Sequence, residues 1–167
     1  MTNFEKITGQ QKKSIRNHGL IAMLLIVVGI FVAFAKQVSG YISLIMGVLL
    51  LVTVWTQYRN YSREMEKVRG NLEQFKKEVN EGTIYDAFGL ILTPNYAVVD
   101  GRELHIYKLK NMKKFEVGIE ERIRKALFLT DKSGKRHQIA ETYTGDGRQE
   151  QFDKLYGDVK EYFRKRH

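Results

Sequence analysis

The sequence predicts an α+β membrane protein: a two-helix transmembrane hairpin, a helical stalk, and an antiparallel sheet domain capped by a C-terminal helix. Three observations carry that expectation. Two uncharged apolar runs, Leu20–Ala35 and Tyr41–Trp55, lie close together near the start. Apolar residues then alternate by three and four from Tyr58 to Val79. From Thr83 onward the apolar period drops to two, broken by turn residues, until a last amphipathic segment. The corresponding segments are a basic N-terminal stretch at 1–18, the hairpin at 19–57, the stalk at 58–82 and the sheet domain at 83–167.

The N-terminal stretch is polar and basic, with Thr2 and Glu5 spaced as a capping box for a short helix. An interfacial helix and a frayed tail both fit it. A membrane span needs roughly 20 mainly apolar residues, which each run reaches by recruiting its flanks. Tyr41, Trp55 and Tyr58 suit the amphipathic rings that collect at the headgroup level. Ala33-Phe34-Ala35 has the small-x-small form of a signal-peptidase site. A second apolar run follows it at once, so both runs are read as retained spans. Lys12, Lys13 and Arg16 precede the first span, Arg59 and Arg63 follow the second, and the turn between carries only Lys36. Lys and Arg near span ends stay cytoplasmic. The expected location is therefore the cell membrane, multi-pass, with both termini cytoplasmic and those five side chains at an anionic headgroup surface.

Five turn residues, Lys36–Gly40, leave the spans as antiparallel neighbours. Ser39, Ser43 and Gly47 recur every four residues, as do Gly29 and Ala33, and small residues at that spacing let helices approach closely in lipid. Packing within one hairpin and contact with another transmembrane helix both fit. No ionisable side chain lies inside either run, which argues against a transport path through the hairpin alone.

Tyr58, Tyr61, Met65, Val68, Leu72, Phe75 and Val79 form an a/d stripe on a helix continuing from the second span. Such a helix would stand about 37 Å tall over residues 56–80 at about 1.5 Å per residue. Gly70 falls on its outward side, and Glu73 with Lys77 makes a supporting pair. The stripe either pairs in a coiled-coil homodimer, docks on a partner, or covers the chain's own sheet.

Six strands are expected beyond it. Phe88–Leu92 runs into the turn Thr93-Pro94-Asn95 and the strand Tyr96–Val99. Asp100-Gly101 is a hairpin signal before Leu104–Tyr107. Strands over Phe115–Ile119, Arg122–Thr130 and Lys135–Glu141 complete the set, the last two joined by Asp131-Lys132-Ser133-Gly134. Asp146 is placed to cap the final helix, whose stripe is Phe152, Leu155, Tyr156, Val159, Tyr162 and Phe163.

The stretch Leu92–Gly101 followed by Leu104–Val117, with Leu109 and Met112 at the step between strands, resembles bacterial pleckstrin-homology-like domains of small membrane proteins. A two-helix membrane hairpin beside such a domain is similar to the YcxB-like group. The resemblance covers about residues 83–166 and implies a seven-stranded fold, one strand more than the six counted, with the extra one hidden near Thr83–Ala87 or missing. It also implies a scaffold for protein contacts, by analogy of fold alone. Members of the wider superfamily that bind phosphoinositides cluster Lys and Arg at the first strand turn, and Thr93-Pro94-Asn95 has none.

The residues suggest no active site and no cofactor. His18, His105, His137 and His167 are not in metal-ligand spacing, there is no cysteine, and no phosphate-binding glycine loop or nucleophile elbow occurs. Glu116, Glu120 and Glu121 read as a solvated strand end opposite Arg122 and Arg124. The net charge of +9 does not indicate nucleic acid, because the aromatic residues follow core periodicity and do not interleave with exposed basic ones. The nearer anion is the bilayer, which attracts each nearby Lys or Arg by about 1 kcal/mol. Lys160, Arg164, Lys165 and Arg166 form a second basic cluster, read as a solvated tail. The expected role is a non-enzymatic membrane adaptor with a protein partner. The alternative is an accessory subunit of a multi-protein membrane complex.

Overall fold

The computed structural model describes residues 1–35, 37–120 and 123–165, and divides into two units, Met1–Arg69 and Gly70–His167. In the first unit the capping box forms: the Glu5 N–H donates to Thr2 Oγ1 at 3.3 Å, and the Thr2 N–H donates to Glu5 Oε2 at 2.9 Å. That backbone donor holds the Glu5 carboxyl below its ordinary pKa. The helix started there, α1, does not stop at the apolar run but continues unbroken from Asn3 to Phe34. The basic N-terminal stretch is thus the first half of one 32-residue helix, about 48 Å long at about 1.5 Å per residue. Helix α2 spans Val38–Glu66 behind an N-cap at Gln37, so Val38, Ser39 and Gly40 belong to the helix and not to the turn. Lys36 lies outside the described residues.

The continuous stalk is not observed. Helix α2 ends at Glu66, a 3-10 turn covers Arg69–Asn71, and a separate helix α3 runs Leu72–Glu81. Gly70 and Asn71 are poor helix formers, and ending the helix there avoids the roughly 1 kcal/mol that an interior glycine costs. Glu73 pairs with Lys76 at 2.6 Å, not with Lys77.

The second unit holds two antiparallel sheets, and α3 packs within it. Strands β1 (Thr83–Tyr85), β2 (Leu90–Leu92), β3 (Tyr96–Asp100) and β4 (Leu104–Lys108) lie in that order in one sheet. Strands β5 (Met112–Glu120), β6 (Arg124–Asp131) and β7 (Arg136–Tyr143) form the other. The strand hidden near Thr83–Ala87 is β1, which makes seven among the described residues. It is separated from β2 by a 3-10 turn, Asp86–Phe88, and by Gly89. Gly89 has φ +56°, and a Cβ there would strike the Asp100 carbonyl, so only glycine fits. The β3–β4 hairpin closes with Asp100 opposite Leu104. Its loop is three residues, 101–103, and not the two-residue turn that Asp100-Gly101 suggests.

Helix α4 covers Gln149–Arg164 and supplies Phe152, Leu155, Val159 and Phe163 to a core shared with Tyr85, Leu90, Leu109, Leu127, Leu129 and Ile139. Asp146 does not cap this helix; Arg148 occupies that position. Gly145 and Gly147 both take left-handed φ, +86° and +74°, which lengthens the turn. Asp146 instead accepts from the Tyr143 N–H at 2.8 Å, the Arg148 N–H at 2.9 Å and the Thr142 hydroxyl at 2.8 Å.

Three carboxylates predict that the fold is sensitive to acid. The Tyr143 and Arg148 backbone donors hold Asp146 below its usual pKa. The Ser133 hydroxyl and then His137 do the same for Asp131, and Arg124 for Glu141. Each group is a stronger acid folded than unfolded. The stability it contributes is therefore full above the unfolded pKa of about 4 and is lost as pH falls through the folded value. The melting temperature should hold from pH 7 to 5 and drop steeply below pH 4, with Asp131→Asn flattening that drop. An acid-independent melting curve would show that these bonds do not persist in solution.

Candidate functional site

The first unit presents an unusual surface. Both helices are long and apolar enough to cross a membrane, and only 11% of the most apolar 18-residue window of each is buried. Phe31 is 73% exposed, Phe34 83% and Trp55 61%. Helices in the core of a water-soluble protein bury most of such a window. An apolar surface this continuous marks an interaction site or a membrane contact. The polar interruptions are self-satisfied: Thr53 and Thr56 donate to the carbonyls of Leu49 and Val52 at 3.1 and 2.9 Å, the back-bonding by which hydroxyls sit on apolar helices.

Where α1 and α2 meet, the contact is backbone against backbone. A Cβ on Gly29 would lie 2.9 Å from the Leu44 N–H nitrogen. On Gly47 it would lie 2.6 Å from Ile26 Cγ1 and 3.1 Å from the Ala22 carbonyl. On Gly40 it would overlap the Ala33 backbone nitrogen. Ala22, Gly29, Gly40 and Gly47 are buried. Of the expected packing residues, Gly29, Ala33 and Gly47 are therefore in the seam. Ser43 is only half-buried and Ser39 is exposed. Gly40, which the sequence places in the turn, joins them from within α2. The signal that finds it is a spacing of seven, Ala22 to Gly29 and Gly40 to Gly47, the repeat of a left-handed helix pair.

The polar end of the hairpin is strongly basic. Ala22 against Gly47 and Gly19 against Val54 fix the antiparallel register. Counting back along each helix brings Lys12 to about the level of Arg59, and Arg16 to that of Trp55. Lys12, Lys13, Arg16, Arg59 and Arg63 are all exposed. Between Glu5 and Glu64 there is no acidic residue, so nothing in that interval neutralises them. The Arg59 guanidinium lies 5.5 Å from the centre of the Trp55 ring, and Arg63 donates to the Asn60 side chain at 3.3 Å.

The stalk residues divide. Tyr58 is exposed, and Tyr61 and Met65 are half-buried on α2. Val68, in the break between helices, is 1% exposed. Leu72 is half-buried. Phe75 and Val79 are 2% and 1% exposed, and Phe75 meets the Tyr96 ring edge-on at 5.0 Å. The α3 part of the stripe thus covers the chain's own sheet. A coiled coil through all seven residues is excluded by the helix break.

Titratable groups elsewhere pair structurally. His137 lies 3.0 Å from Asp131, His105 stacks on Tyr107, and Glu116 pairs with Arg136 at 2.6 Å and Lys114 at 2.7 Å. Arg124 pairs with Glu141 at 2.7 Å. The Glu120 side chain, Glu121, Arg122, Arg166 and His167 lie outside the described residues. Among the described residues no group of three His, Cys, Asp or Glu side chains converges to hold a metal ion. A scan against protein-family models and a search of the curated proteins both find no match to this chain.

Proposed function

We propose that the chain is a non-enzymatic adaptor of the cell membrane. The α1–α2 hairpin spans the bilayer with both termini cytoplasmic and presents the sheet unit, a pleckstrin-homology-like domain, to a protein partner. The observation that carries this reading is the exposed apolar surface of both helices, bounded at one end by five exposed cations in an interval with no acidic residue. Lipid is the environment in which that surface costs nothing, and the basic end matches the anionic cytoplasmic leaflet at about 1 kcal/mol per side chain. Seven strands in sheets of four and three, closed by α4, support the domain assignment. The burial of Phe75 and Val79 argues against homodimers through the stalk. A second reading, an accessory subunit of a larger membrane complex, draws on Ser39 and Ser43. They lie toward the outside of the seam, where a further transmembrane helix can approach.

A single cysteine at Ser133 tests the topology, since the chain has no other. It should resist an impermeant maleimide in intact cells and react in inverted vesicles, while alkaline carbonate leaves the protein in the membrane. Labelling from outside, or release by carbonate, would refute the arrangement. A heteromeric complex that survives mild detergent but is lost in Ser43→Leu would favour the second reading.

A further inference from the structure

The sheet unit encloses an open groove of about 810 Å3, within the roughly 300–1,000 Å3 of ligand clefts. The end of α3, the start of β1, the β2–β3 turn and the last turns of α4 converge on it. Its charged lining is Glu81, Asp158 and Glu161 against Lys110 and Lys165. Lys165 is already paired with Glu161 at 2.7 Å. Glu78 adds a carboxylate behind the turn, accepting from the Thr93 hydroxyl at 3.1 Å and the Asn95 amide at 2.8 Å. With Lys165 and Glu161 paired to each other, the lining leaves Glu81 and Asp158 against Lys110, a small excess of negative charge in a chain of net charge +9. Leu92, Pro94 and Tyr162 give it an apolar ledge.

Beside the groove lies a free strand edge. β1 ends its sheet, and among the described residues its backbone bonds only to β2. Thr83 lines the groove, and Thr83 and Ile84 are exposed. The Tyr85 hydroxyl donates to Asp158, tying β1 to α4. An open edge gives an extended peptide its backbone partners, and an adjoining groove takes alternate side chains.

We infer that this groove binds an extended basic segment of a partner protein. The segment adds a strand to β1 and sets a Lys or Arg side chain among Glu81, Asp158 and Glu161. This rests on the adaptor reading and gives its partner a chemistry.

The test uses the full chain in detergent micelles and fluorescent nonapeptides alternating valine with Lys/Arg, Ser/Thr or Asp/Glu. The basic set should bind at least tenfold more tightly than the acidic set, although the net charge favours the opposite order. Glu81→Lys with Glu161→Gln, both on exposed positions, should erase that preference with an unchanged circular dichroism spectrum. Equal binding by all sets, no binding by any, retention of affinity in the double variant, or displacement by short-chain phosphatidylglycerol would each overturn the inference. Recovery of no protein with the chain from native membranes, while basic peptides still bind, would defeat the adaptor reading and leave the groove standing.

Discussion

The substitution Gly40→Leu is expected to separate the two apolar helices. A side chain at this position has no place to go, because its first carbon overlaps the Ala33 backbone and not a flexible side chain. Overpacking costs about 1–3 kcal/mol where side chains can shift, and here the backbone itself must move, so the cost lies at or above the upper end. The chain has no cysteine, so cross-linking reads the effect without background. A Cβ on Gly19 would sit 3.9 Å from Val54 Cγ1, so Gly19→Cys with Val54→Cys places two thiols near each other for cross-linking by a short thiol-reactive bridge or by oxidation. Adding Gly40→Leu should lower its yield several-fold. Gly70→Leu should not, since a Cβ at Gly70 meets nothing within 4 Å. Equal yields in all three would mean that the close seam does not form in the membrane-like environment.

What the sequence shows of this protein, and what it hides, follows from how far each signal reaches. The capping box at Thr2, the turn at Thr93-Pro94-Asn95 and the core stripe of α4 were all legible, because each is decided by residues within one or two turns of chain. The Thr93 turn shows this well: its hydroxyl accepts from the Tyr96 N–H at 2.9 Å while its own N–H donates to the Tyr96 carbonyl at 2.8 Å. β1 was harder to see. Three residues are too few to establish a period of two, and pairing with β2 and the Tyr85–Asp158 bond hold it in place. The helical break at Gly70 was hidden because apolar periodicity continued across it. The same spacing serves one long helix, or two short ones with separate burials. The groove was invisible for a related reason: Glu81, Pro94, Lys110 and Asp158 are far apart in the chain and meet only after the sheet has folded.

Whether the stripe is one pairing stalk or two separate burials can be decided by Phe75→Ala. In a pairing stalk, Phe75 would lie between two chains, and its loss would halve the mass of the particle while leaving the melting of the sheet unit almost unchanged. In the observed fold the ring is 2% exposed and packed edge-on against Tyr96, itself 6% exposed. Truncating a buried phenylalanine to alanine costs about 3–5 kcal/mol, of which the aromatic pair accounts for about 0.5–1.5. Set against a domain stability of about 5–15 kcal/mol, that is a large fraction. At about 4 °C or more per kcal/mol for a unit of this size, the melting temperature of the sheet unit should fall by more than about 12 °C. The mass in detergent should not change. Tyr58→Ala, on the same stripe but at a position 58% exposed, should leave both quantities alone. A fall in mass with Phe75→Ala would restore the dimeric stalk and require α3 to leave the sheet. A fall in melting temperature alone fixes α3 as part of the domain, with Glu78 holding the Thr93 turn and Glu81 at the rim of the groove.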